Sequence, residues 1–203
     1  GIRTFQNYVN HVLGDIPRER NLWGAESLYS RIPAMYCFDW APNHRLMNTL
    51  WWTGAMTKDG IPGNIGVGKR LTTVTQSFLW SVTPVFLTSD IAGFYGDQEP
   101  MRTYYDEAHH LLRFFEGTAK NGVIPVPNEL ADHAAPFGVK RTQQDTGLIN
   151  AFAFFDAQNR FARMADMLGK TEDTSHAHEF AEKIRTGVMK RYDATRHTFG
   201  NGT

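Results

Sequence analysis

Three carboxylates, two arginines and a tryptophan fall within the twelve residues Asp15–Glu26. Glu19 stands directly between Arg18 and Arg20, and Trp23 follows four positions after it. Flanking cations favour an ionised carboxylate, whereas burial against an aromatic ring favours the protonated form. A carboxyl held between those influences can serve as a general acid near neutral pH. Structural ion pairs crowd charges in the same way. A solvated, salt-bridged helix start is therefore the competing reading of this stretch.

The elements that would position these groups follow from periodicity. Pro17 disfavours helix at Ile16, so the charges begin on a loop or a helix entrance. The spacing of Ile2, Phe5, Val9, Val12 and Leu13 predicts a helix over 1–14, closed by Gly14. Leu28, Ile32 and Met35 predict a second helix from Trp23 to about Phe38, interrupted or bent at Pro33. After a turn at Asp39–Pro42, a helix over 45–56 is expected, with Leu46, Met47, Leu50 and Trp51 as its stripe. It ends at the turn Lys58-Asp59-Gly60. The apolar run 77–88 reads as a helix with Pro84 in a first turn or at a kink. Met101, Tyr104, Tyr105, Ala108, Leu111, Leu112 and Phe115 predict one amphipathic helix over 100–115. Two more helices follow, 146–168 and 171–192, with Gly169 and Lys170 closing the first. The tail beyond them is turn-rich. Lys58-Asp59-Gly60-Ile61-Pro62 returns as Lys120-Asn121-Gly122-Val123-Ile124-Pro125, a weak repeat of helix–loop–helix units. No apolar alternation argues for a sheet. The fold class expected is all-α, in hairpins.

Composition narrows the functional classes. The chain has 203 residues, enough for one domain with a sizeable core. Lys+Arg and Asp+Glu are both 21, so no basic excess points to nucleic acid or an anionic membrane. No apolar run approaches the roughly 18 residues of a membrane span. Cys37 is the single cysteine, which allows no disulfide or thiolate metal site within the chain. The compartment stays open, with a secreted or periplasmic location favoured over a cytoplasmic one. The chain starts at Gly1 without a signal-like segment, as a processed chain or an excised piece would. Gly63, Gly66 and Gly68 fit neither the P-loop nor the dinucleotide fingerprint, because Gly68-Lys69 leads into Arg70. His109 and His110 are adjacent and point to different sides, so they form no metal pair. His176 and His178 read as solvated. The aperiodic stretch 126–144 holds Asn128, Glu129, Asp132, His133 and Arg141, as a long functional loop or a plain connection. No metal and no cofactor are expected.

Arg18-Glu19-Arg20-x-x-Trp23-x-Ala25-Glu26 resembles the motif Arg-Asp/Glu-Arg-x-x-Trp-x-Gly-Asp of α-L-rhamnosidases of glycoside hydrolase family 78, which are six-hairpin glycosidases. Ala25 replaces the glycine and Glu26 the aspartate. The family's further aspartate lies five residues before the donor, whereas Asp15 lies four before Glu19. Phe38-Asp39-Trp40, the Gly60-Ile61-Pro62 loop, Leu79-Trp80 and the segment Leu168-Gly169-Lys170 are similar to successive hairpins of that family. The resemblance implies an (α/α)6 toroid, with Glu19 as proton donor in an inverting hydrolysis of terminal rhamnosides. It implies sugar contacts from Asp15, Arg18, Trp23, Glu26 and Trp80. A twelve-helix toroid needs on the order of 350 residues, so the chain is expected to form a single partial (α/α) catalytic domain over 1–203. The general base would lie in a later hairpin. The expected partners are a carbohydrate and the remainder of the toroid or another subunit.

Three readings stay open. The chain is part of a rhamnosidase-like toroid, part of another six-hairpin enzyme (trehalase-like or a glucuronyl hydrolase), or a non-catalytic helical carbohydrate-binding or interaction module. The last requires an exposed Glu19 with an ordinary pKa and no sugar cleft.

Overall fold

A computed structural model describes residues 9–10, 12–13, 24–54, 56–63, 78–120 and 145–199. Its elements are helical apart from two strand pairs: β1 Val9–Asn10 with β2 Val12–Leu13, and β3 Tyr192–Asp193 with β4 Thr198–Phe199. The helices are α1 Gly24–Cys37, α2 Ala41–Thr53, α3 Phe78–Ser81, α4 Thr83–Tyr95, α5 Glu99–Thr103, α6 Tyr105–Thr118, α7 Thr146–Met167 and α8 Thr171–Met189. The fold is all-α, as the helical periods predict. The chain divides into two compact units, 1–113 and 114–203, with the division inside α6.

In the first unit the expected helix over 1–14 is corrected. Val9 pairs with Leu13 and Asn10 with Val12 across an antiparallel link. The β-branched Val9 and Val12 suit strand as well as helix, and backbone pairing decides between them. α1 runs through Pro33, which removes one helical hydrogen bond without ending the helix. α2 starts four residues earlier than expected, at Ala41, because Pro42 occupies its first turn, where a missing N–H costs nothing. Its buried positions are His44, Met47, Asn48, Trp51 and Trp52. The inward face is thus rotated from the expected stripe, and Leu46 is 42% exposed.

The chain then turns at Gly60, whose φ of 70° places it in the left-handed region. The Gly60 amide donates to Thr57 O (3.1 Å), and Thr57 N donates to Ile61 O (2.9 Å). The expected 77–88 helix is two helices: α3 ends at Ser81, and α4 restarts after Val82 with Pro84 in its first turn. Thr83 to Thr88, Asp90, Ile91 and Ala92 are all buried, so α4 is enclosed nearly all round. It ends at Gly96, φ 70°, whose amide donates to Ala92 O. Ala34, Met35, Trp40, Met47, Trp51 and Leu87 form a core joining α1, α2 and α4. The single helix expected over 100–115 is also two, α5 and α6. Tyr104 sits between them, stacked on Trp52 at 5.9 Å, with its hydroxyl donating to Thr49 Oγ1.

The second unit is organised on the α7–α8 hairpin. Asp145 caps α7 by accepting from Leu148 N (3.0 Å) and pairs with Arg191. Gly169, φ 72°, turns the chain between the helices. Ala151, Phe154, Ala157, Phe161 and Ala165 on α7 and Ala177, Ala181, Ile184 and Val188 on α8 are buried where the two helices pack together. Glu116, near the end of α6, accepts from Gln158 Nε2 on α7 (2.8 Å). It also meets His176 Nε2 on α8 (2.9 Å), so His176 is paired, not merely solvated. α8 ends at Met189, and the tail forms the β3–β4 hairpin, with Tyr192 opposite Phe199.

Candidate active site

Four of the six site residues read from the sequence, Asp15, Arg18, Glu19 and Trp23, lie outside the described residues. So do the glycine-rich loop from residue 64 and the stretch 126–144. Glu26 lies in the first turn of α1, its side chain outside the description. Trp80 is on α3 and half-buried. Its indole Nε1 is shut off from solvent with no hydrogen-bond partner among the described residues.

α1, which starts one residue after Trp23, is held against α4 by polar side chains that periodicity does not single out. Arg31 is in the buried face of α1, one turn after Leu28 and one turn before Met35. Its Nε donates to the Asp90 carboxylate on α4, and its Nη1 donates back to Leu28 O. The guanidinium also lies 5.4 Å from the centre of the Phe86 ring. Near this pair, His44 is fully buried, edge-on to Tyr95 at 6.3 Å, with neither ring nitrogen hydrogen-bonded among the described residues. Burial lowers its pKa to about 4; the Asp90 charge opposes this and the Arg31 charge adds to it. His44 is therefore neutral at pH 7. Farther along, Trp52 Nε1 donates to Thr88 Oγ1 (3.0 Å), which donates to Asn48 Oδ1 (2.9 Å). The sequence signal for this cluster was a cation in the 28/31/35 stripe and a carboxylate within an apolar run. Neither reveals its partner.

Among the described residues no group of three or more His, Cys, Asp and Glu converges as metal ligands. His109 and His110 are engaged separately: Arg113 Nε donates to His109 Nε2, and His110 Nε2 contacts Asp59 O. No described helix is long and apolar enough to cross a membrane. A cleft of about 430 Å³ in the second unit, between Ala119 and the Phe180, Lys183 and Gly187 face of α8, contains none of the six residues.

Residues 2–203 match the family model described as bacterial alpha-L-rhamnosidase 6 hairpin glycosidase domain. The chain belongs to this family. Its fold is similar to that of the alpha-L-rhamnosidase from Dictyoglumus thermophilum, with a TM-score of 0.80 at 19% identity over 92% of this chain and 21% of that one. It is similar to the Streptomyces avermitilis alpha-L-rhamnosidase complexed with L-rhamnose, with a TM-score of 0.70 at 21% identity over 91% and 17%. A third likeness is to the rhamnosidase from Klebsiella oxytoca with rhamnose bound, with a TM-score of 0.74 at 16% identity over 98% and 38%. The chain thus spans well under half the length of each. No curated protein matches it. Membership in the glycosidase family and the shared helical fold identify a glycoside-hydrolase-like chain.

Proposed function

We propose that the chain is part of the catalytic toroid of an α-L-rhamnosidase that hydrolyses terminal rhamnosides with inversion. The family match along 2–203 carries this reading, because it includes the Arg18-Glu19-Arg20-x-x-Trp23-x-Ala25-Glu26 segment. Glu19 protonates the departing glycosidic oxygen. A water attacks from the opposite face of the sugar, activated by a second carboxylate roughly 6.5–9.5 Å from the first. Asp15 and Glu26 share the acid's local segment, so the base comes from a later hairpin. Asp15 and Glu26 contact sugar hydroxyls, Arg18 positions by charge, and Trp23 forms an apolar wall. Trp80, half-buried on α3, contributes a ring face for the sugar. The partners on this reading are a rhamnose-capped carbohydrate and the remaining hairpins, in a longer chain or another subunit, with 1–203 as one partial catalytic domain.

The deciding experiment is Glu19→Gln in the full-length protein, assayed on an alkyl rhamnoside and on one with an activated phenol leaving group. A proton donor matters least when the leaving group departs easily, so the alkyl substrate should lose far more rate, by on the order of 100-fold or more. Equal losses on both substrates, or none, would remove Glu19 from the role and return the stretch to a salt-bridged helix start.

A further inference from the structure

We propose that Arg31 and Asp90 are a positioning pair that fixes the register of α1 on α4, and thereby the place of the acidic segment leading into α1. The pair occupies an unusual position. Leu28, Ala34 and Met35 share the buried face of α1 with Arg31, and Asp90 interrupts the apolar surface of α4. Both side chains are 8% exposed. Apolar residues of similar volume serve stability at such a site as well as an ion pair, or better, because both charges must leave water. Apolar contact, however, has no direction. A guanidinium has a rigid fork that fixes both distance and angle.

The fork is used on both helices. One arm reaches Asp90 on α4, the other returns to Leu28 O on α1, and the guanidinium carbon lies over the Phe86 ring of α4. α4 is itself enclosed nearly all round and serves as the fixed reference. Glu26 is five residues before Arg31, and Glu19 twelve. A slip of α1 by one residue would shift Glu26 by about 1.5 Å and swing it by about 100°. Misplacement of about 1 Å in a catalytic constellation can cost on the order of 100-fold in rate.

The activity readout of this proposal rests on the rhamnosidase reading, and a second readout does not. The test is Arg31→Met combined with Asp90→Leu in the full-length protein, beside Arg31→Lys alone. The double variant should keep or raise the thermal midpoint, while kcat/KM on an aryl rhamnoside falls at least about tenfold. Amide exchange over residues 24–31 should quicken, while α4 stays protected. Arg31→Lys keeps the charge but loses the fork, and should show the same quickening with a smaller loss of rate. If either folded variant matches the wild type within about twofold in kcat/KM and in exchange over 24–31, the pair is structural only and the proposal fails. A wild-type protein without rhamnosidase activity would remove the functional reading alone. Exchange over 24–31 then decides: quickening in the variants supports the pair, and unchanged exchange overturns it.

Discussion

His44 carries a consequence of its burial that solution measurements can read. Its folded pKa of about 4 lies below the ordinary 6.5, chiefly through desolvation. The unfolded chain therefore takes up the proton first, and stability falls as pH drops from about 6.5 toward 4. Near the lower limit the loss from this one group is roughly 3 kcal/mol. We expect urea midpoints of the wild type to decline between pH 7 and pH 4.5 more steeply than those of His44→Leu, which has no proton to bind. Parallel declines would show that other groups govern acid sensitivity. At this scale the sequence was legible only where spacing itself is the message. Glu19 and Glu26 stand out because both belong to one short motif. Arg31 and Asp90 do not, because 59 positions separate them and only packing brings them together.

Among the elements, those read best from sequence were those whose limits are set by local chemistry. The α7–α8 link is an example. Gly169 adopts φ 72°, and Lys170 N then turns back to Ala165 O at 2.8 Å. Gly169→Ala would meet no neighbouring atom within 4 Å, so its cost is conformational alone. It should destabilise by about 1 kcal/mol, and Gly169→Asn by less, since asparagine tolerates the left-handed region. Equal denaturation midpoints for Gly169→Ala and wild type would contradict a required left-handed turn. The elements misread were those decided by partners. Leu46 and Met47 both suit a buried stripe, but the faces of α1 and α4 select His44, Met47, Asn48, Trp51 and Trp52. The expected 100–115 helix breaks where Tyr104 lies on Trp52. Val9 to Leu13 carries helical spacing, yet a strand pair forms there. Periodicity reports a tendency to be buried on one side and does not report what will be on that side.

For the molecule as a whole, the sequence conveyed the fold class and the family, and the structure adds where apolar surface remains. Tyr36 is 76% exposed and packs edge-on to Phe94 at 5.0 Å in the first unit. Ile149 and Phe152 are both nearly half-exposed in the second. If the chain supplies only part of a toroid, such surfaces await neighbouring hairpins. We expect the isolated 203-residue chain to bind a fluorescent apolar dye and to associate with rising concentration. Sedimentation as a single monomeric species without dye binding would count against a partial toroid.

The enclosure of α4 also bears on how the chain is made. Thr83, Val85, Thr88 and Ile91 are β-branched and contribute little helical tendency of their own, so α4 depends on the surfaces around it. Two of those surfaces, α1 and α2, precede it in the chain. During synthesis they leave the ribosome first, at about 5–20 residues per second. The helix that leans on its neighbours is thus delivered last of the three, after the segments that enclose it. Reordering the chain so that 83–95 emerged before 24–53 would leave the same contacts available but an apolar segment waiting unpaired for seconds.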